Sequence, residues 1–193
     1  MRKASIQRKT KETQIQLELN LEGGDVAIET GIGFFNHMLT AFACHGCFGL
    51  KLHCIGDLDV DQHHTIEDTG LALGEAIRQA LGSKEGINRF GTSHVPLDES
   101  LARVVLDLSG RAHLAWRAEF PQGYAGQTPV CLFHEFFQAV ANAGGITLHV
   151  DLLACGESHH GAECIYKAFG RALREAVTLN PLRKGIPSTK GVL

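Results

Sequence analysis

Two short stretches decide the architecture: His63-His64-Thr65-Ile66-Glu67 and, 96 positions later, His159-His160-Gly161-Ala162-Glu163. Each opens a helix-like run. Leu71, Leu73, Ile77 and Leu81 follow the first, and Ile165, Phe169, Leu173 and Val177 follow the second, at spacings near three to four. Upstream, Phe34-Phe35-Asn36-His37-Met38-Leu39 is answered by Leu132-Phe133-His134-Glu135-Phe136-Phe137, the two histidines lying 97 positions apart. Between these blocks Leu50 to Ile55 and Ile146 to Leu153 each read as a short strand. Further upstream, Thr13 to Leu21 alternates apolar and polar residues, and Leu101 to Leu108 is its partner. Glu12 and Glu99 precede this pair. Val26 to Glu29 and Ala112 to Phe120 read as return strands of two hairpins, turning at Gly23-Gly24 and Ser109-Gly110. A chain written twice is expected to fold twice. The expected architecture is α+β, with two similar β-β-β-α-β-α halves, residues 1–90 and 91–180, each an antiparallel sheet covered by helices on one face. The tail, residues 181–193, carries Gly and Pro without periodicity.

Composition narrows the function classes. With 193 residues and 44% hydrophobic content the chain can bury a real core, as one unit or two small ones packed together. A net charge of −3 excludes a general nucleic-acid field, so an anionic ligand would need a local cluster of Lys and Arg. The basic, polar N-terminal stretch has no apolar run of signal-peptide length. Ile32 to Leu52 is too interrupted to span a membrane. The expected location is the cytoplasm, without membrane or nucleic-acid partners. Six cysteines include one C-x-x-C, Cys44 to Cys47, with no second copy to complete a zinc site. They read as ordinary buried or half-buried thiols.

Eleven histidines are an unusual number, and the repeated motif explains why they matter. Residues four apart share a helix face, so His63 with Glu67, and His159 with Glu163, can each grip one cation. His64 and His160 project about 100° away and suit a neighbouring ion. The pattern suggests a crossed arrangement: His63 and Glu67 with His160, and His159 and Glu163 with His64. His37 and His134 are the natural remaining ligands, and spacing alone does not say which joins which ion. Three imidazoles and a carboxylate leave two open positions on an octahedral ion. That suits Mn²⁺, although Zn, Fe or Co would also bind such donors. No H-E-x-x-H, P-loop or deaminase pattern is present. His53, His94, His113 and His149 read as structural. Another two-metal enzyme, such as a phosphoester hydrolase, or a non-catalytic metal-bound cage would share the same histidines.

The blocks GIGFFNHMLTAFACHG (31–46), DVDQHHTIEDTGLALG (59–74), GINRFG (86–91), LDLSGR (106–111), ESHHGAE (157–163) and PSTKG (187–191) together resemble the imidazoleglycerol-phosphate dehydratase family, in family order and over nearly the whole chain. Asn36 stands where the family usually has Asp, which bears on a hydrogen bond near His37. The resemblance implies conversion of imidazole glycerol phosphate to imidazole acetol phosphate and water in histidine biosynthesis. The substrate ring would bind as imidazolate between two Mn²⁺ ions at sites between subunits of a 24-subunit shell built from trimers. It implies His37, His63, Glu67 and His160 on one ion, and His64, His134, His159 and Glu163 on the other, so that Glu67 and Glu163 count as catalytic through the metals. Arg89, Arg111, Ser188, Thr189 and Lys190 match the phosphate-binding positions, although each basic residue read alone is a solvated surface charge. Glu12 matches a family site glutamate and is the expected proton-handling group, with His45 a second candidate. Both are expected to face the substrate, as is His37.

Overall fold

A computed structural model of the chain describes residues 2–192. The first half runs β1 (Lys3–Lys9), β2 (Thr13–Asn20), β3 (Val26–Glu29), α1 (Gly33–Gly46), β4 (Gly49–Gly56) and α2 (His63–Leu81). The second runs β5 (Phe90–Leu97), β6 (Ser100–Asp107), β7 (His113–Arg117), the short pair β8 (Tyr124–Ala125) and β9 (Thr128–Pro129), α3 (Cys131–Gly144), β10 (Thr147–Ala154) and α4 (Ser158–Val177). The expected α+β order recurs in both halves, with β8 and β9 as an addition to the second.

The sheets are ordered β1-β2-β4-β3 and β5-β6-β10-β7. The strict alternation of β2 puts Ile15, Leu17 and Leu19 on the core face. The hairpins are β1–β2 and β5–β6, whereas β2–β3 and β6–β7 were expected. The chain does reverse at Gly23-Gly24, but β4 inserts between β2 and β3, and β10 likewise between β6 and β7. Each sheet is therefore mixed rather than purely antiparallel. β3 runs parallel to β4, and β7 to β10, because a helix carries the chain across between them.

All four helices lie between the two sheets. α2 covers the first sheet and α4 the second, while α1 pairs with α4 and α2 with α3 across the halves. Close approach depends on small residues. A Cβ at Gly74 would stand 2.6 Å from the Val140 carbonyl oxygen, and one at Gly70 would stand 2.6 Å from that of Phe136. The two halves share one core, knitted by Phe42, Phe133, Phe136, Phe137, Tyr166 and Phe169. No described helix is long and apolar enough to cross a membrane. The cysteines are all free. Cys54 and Cys164 are buried and Cys155 is half-buried, but Cys44, Cys47 and Cys131 are exposed, contrary to expectation, because they lie at the ends of α1 and α3 rather than on their core faces.

Candidate functional site

Both His-His pairs sit in the first turn of a helix, where backbone N–H groups lack intrahelical acceptors. A carboxylate two residues before the motif supplies one each time. Asp61 Oδ1 accepts from His63 N at 2.7 Å, and the two oxygens of Glu157 accept from His159 N and His160 N at 3.0 Å. The histidines are thus set on a fixed turn at a helix end, half-exposed beside the solvent.

Among the described residues two groups of three ligand atoms gather closely enough to hold a cation, one of Asp98, Glu99 and His160 at the β5–β6 turn and one that joins α1 to α4. His37 Nε2 and His159 Nε2 stand 3.4 Å and 3.3 Å from the same Glu163 oxygen, Oε2. The three ligand atoms lie within 4.8 Å of one another. Two imidazoles and a carboxylate form a donor set that suits a divalent first-row ion. α1 can deliver His37 because it packs closely on α4, where Gly170 leaves room for the Phe42 carbonyl. The Phe34 and His159 rings meet edge to face, with centroids 5.0 Å apart. The other Glu163 oxygen, Oε1, is held by Lys167 Nζ at 2.6 Å. Burial works to raise the Glu163 carboxyl. Lys167 and His37 outweigh it and hold the group below the usual carboxylate range.

The other half gives only a pair. His63 Nε2 lies 3.3 Å from Glu67 Oε2. His134 turns its Nδ1 to Glu135 at 3.0 Å and its ring edge-on to Trp116, with centroids 5.9 Å apart. The expected partition puts His37 with His63 and Glu67, and His134 with His159 and Glu163, at sites between subunits; within a single chain His37 gathers with His159 and Glu163. Helix pairing is the reason, since α1 packs on α4 and α3 on α2.

The second histidine of each pair faces a carboxylate through Nδ1. For His64 it is Asp57, at 3.0 Å and 3.2 Å, and for His160 it is Glu99, with both oxygens at 3.1 Å. These hydrogen bonds raise both imidazoles above the usual histidine range. Glu12 is exposed, its Oε1 3.8 Å from His64 Nε2. His45 lies two turns beyond His37 on α1. Burial, then the charges of Lys167 and Arg171, push it down, so it is suited to be neutral near pH 7. The Asn36 side chain points away from this chemistry. Its Oδ1 accepts from Thr30 N at 3.0 Å and Thr30 Oγ1 at 2.6 Å, locking the entry to α1. Among the histidines expected to be structural, His53 faces Glu29 at 3.9 Å, and the rings of His113 and His149 stand 6.1 Å apart.

Arg89, Arg111, Ser188, Thr189 and Lys190 come together around one open cleft of about 500 Å³, which the turn at Ser109-Gly110 also lines. Arg89 is already engaged. It donates to both Asp107 oxygens, at 2.7 Å and 3.0 Å, and to the Pro187 carbonyl at 2.9 Å, so it also anchors the tail. Lys167, Asp57 and the contact of Glu99 with His160 were not singled out in the sequence. Lys167 carried a signal, being four residues beyond Glu163 on the same helix face, whereas the other two depend on loop paths.

Comparison with known proteins gives a consistent picture. A family model described as imidazoleglycerol-phosphate dehydratase matches residues 30–173. Curated proteins of that name from Lactiplantibacillus plantarum and Streptococcus mutans are 54% and 55% identical over 194 aligned residues, covering 100% of both chains in each case. The crystal structure of the imidazoleglycerol-phosphate dehydratase of Staphylococcus aureus superposes with a TM-score of 0.85 at 37% identity, covering 92% of this chain and 99% of the other. That of the Pyrococcus furiosus IGPD in complex with (S)-C348 gives 0.85 at 34% identity, covering 97% and 100%.

Proposed function

Because the chain belongs to the imidazoleglycerol-phosphate dehydratase family and is a hydro-lyase of histidine biosynthesis, we propose that its two histidine clusters hold two Mn²⁺ ions and that complete sites form between subunits. The observation that carries the reading is the convergence of His37, His159 and Glu163 at the N-terminal end of α4. The internal repeat supplies the counterpart, with His134 joining His63 and Glu67. His64 and His160 complete the two sets by crossing between them.

Cations held by these residues would supply the positive charge that makes the substrate's imidazole more acidic and lets it accept electron density. The protein's own groups do the rest. His37, His159 and Glu163 fix the ring's position, and Lys167 keeps Glu163 ionised and aimed by one oxygen. Glu12, exposed beside His64 Nε2, is the group placed to take the carbon-bound proton, which is not acidic without help from the ring. His45, held neutral, is the second proton carrier. Arg111, Lys190, Ser188, Thr189 and the remaining donors of Arg89 bind the phosphate.

Geometry supports the assembly reading. Arg89 N donates to Ala176 O at 2.9 Å, so the phosphate cleft lies at the C-terminal end of α4. The cation cluster lies at its start, about 20 Å away at 1.5 Å per residue. Standard bond lengths give the substrate a reach of about 10 Å from ring to phosphorus. One substrate therefore spans a metal cluster of one chain and a phosphate cleft of another, consistent with a closed homo-oligomer such as 24 subunits built from trimers. A biosynthetic enzyme of this kind fits a cytoplasmic location. The test is turnover of imidazole glycerol phosphate by chelator-stripped protein with and without Mn²⁺. Ketone should form only with metal, and equal turnover without metal would overturn the two-cation reading.

A further inference from the structure

The two repeats orient their second histidines with carboxylates from different places. In the first, Asp57 directly follows β4 and meets His64 Nδ1 at 3.0 Å. The residue following β10 is Cys155, which has no carboxylate to offer, and its Sγ donates to the Glu157 carbonyl at 3.3 Å. Glu99 takes the task instead, meeting His160 Nδ1 with both oxygens at 3.1 Å. It arrives from the two-residue turn between β5 and β6, where Asp98 adopts φ 47°. Ser100 Oγ donates to Glu99 Oε1 at 2.9 Å, and the side chain lies over Gly156, where any Cβ would overlap it. Glu12, which heads β2 as Glu99 heads β6, makes no such contact with a histidine Nδ1. It stands 3.8 Å from His64 Nε2, the nitrogen on the opposite side of the ring from Asp57.

We propose that Glu99 is a positioning residue that fixes His160 with Nε2 presented to a cation, as Asp57 does for His64, and that this exchange of duties leaves Glu12 free for the substrate. An imidazole that donates Nδ1–H to a carboxylate has its tautomer and rotation set, and its other nitrogen becomes the better ligand. The second repeat has no strand-end carboxylate and uses the turn residue Glu99. The first repeat has Asp57 in that role, which leaves Glu12 unengaged by a histidine Nδ1. The proposal rests on the reading of His64 and His160 as ligands of two cations.

The test measures Mn²⁺ bound per chain, by equilibrium dialysis and electron paramagnetic resonance, with urea unfolding of each metal-free variant to confirm folding. Glu99→Ala should weaken one of the two Mn²⁺ sites about 10- to 100-fold and leave the other unchanged. Asp57→Ala should weaken the other site by a similar factor. Glu12→Gln should bind both ions as the parent does while losing turnover. Gly156→Ala, which keeps the carboxylate but displaces it, should reproduce the Glu99→Ala defect even if that variant folds poorly. Parental binding of both ions by Glu99→Ala and Gly156→Ala, with one ion lost in His160→Ala, would overturn the proposal and leave the ligand reading standing. Retention of both ions by His160→Ala would overturn both.

Discussion

The starts of α2 and α4 carry the same five-residue motif in different surroundings. Around α4, Glu163 is 14% exposed, clamped by Lys167 and met by His37. Around α2, Glu67 is 44% exposed, and the residue four further on is Leu71, which offers no charge. His45 on α1 is matched 97 positions later by Asn142 on α3, so the titratable neighbour is also missing. Duplication preserved the donor atoms and the helix ends that present them, while the polar groups behind them diverged. Two sites built from one motif therefore differ in how much of each is finished within a single chain.

The sharpest way to break this comparison is to remove the matched carboxylates one at a time. Glu163→Gln should lower kcat at least about 10³-fold, since it removes the only anionic donor from a cation cluster whose charge is worth several kcal/mol in the transition state. Glu67→Gln should cost as much, although in one chain Glu67 resembles a surface carboxylate whose loss would ordinarily be within about 0.5 kcal/mol. Equal losses in a steady-state assay would mean that a neighbouring subunit completes the α2 site. A Glu67→Gln enzyme near parental activity would mean that only the α4 cluster serves catalysis.

A smaller effect tests the helix pairing that delivers each upstream histidine. Gly74→Val places a branched side chain where even a Cβ would stand 2.6 Å from the Val140 carbonyl oxygen. It should destabilise the fold by roughly 3 kcal/mol, at the upper end of overpacking costs, read as a lowered urea midpoint. Parental stability would show that α2 and α3 are not held at this distance.

Much of this was legible in the sequence because periodicity and repetition are local. The alternation in Thr13 to Leu21 gave β2, and the doubled His-His-x-x-Glu gave α2 and α4 with their registers. Strand order was harder to read, since nothing in Val26 to Glu29 records that β4 will insert beside it. The pairing of His37 with Glu163 was hidden for the same reason, because it depends on which helices touch across the halves. Glu99 was visible only as a residue flanking a strand. Its contact with His160 spans 61 positions and arises from a tight turn, a glycine and a loop that no short pattern contains. The exposed Cys44, Cys47 and Cys131 misled in the other direction, as composition favours burial of thiols but helix ends do not.

The smallest expected effect compares the outer faces of the two sheets. Asp151 on β10 is buried between Arg103 and Arg117, whereas Ile55, 96 positions earlier on β4, is 59% exposed and unpaired in charge. Burial alone would raise the Asp151 carboxyl, but hydrogen bonds and charge from Arg117 and Arg103 prevail and hold it low. A carboxyl lowered in the folded state stabilises the fold above its unfolded pKa, about 3.9, and loses that contribution as pH falls through the folded value. Both arginines are more than a third exposed, so solvent screens the clamp. Asp151→Asn should therefore cost only about 1–2 kcal/mol at pH 7, less than the breaking of a fully buried pair. The deficit should shrink below about pH 4, where the unfolded parent's carboxyl begins to protonate while the folded one still resists. Urea unfolding from pH 7 to pH 3 reads both values. A deficit constant across that range would assign the cost to packing rather than charge, and the two sheet faces would then differ in shape but not in electrostatics.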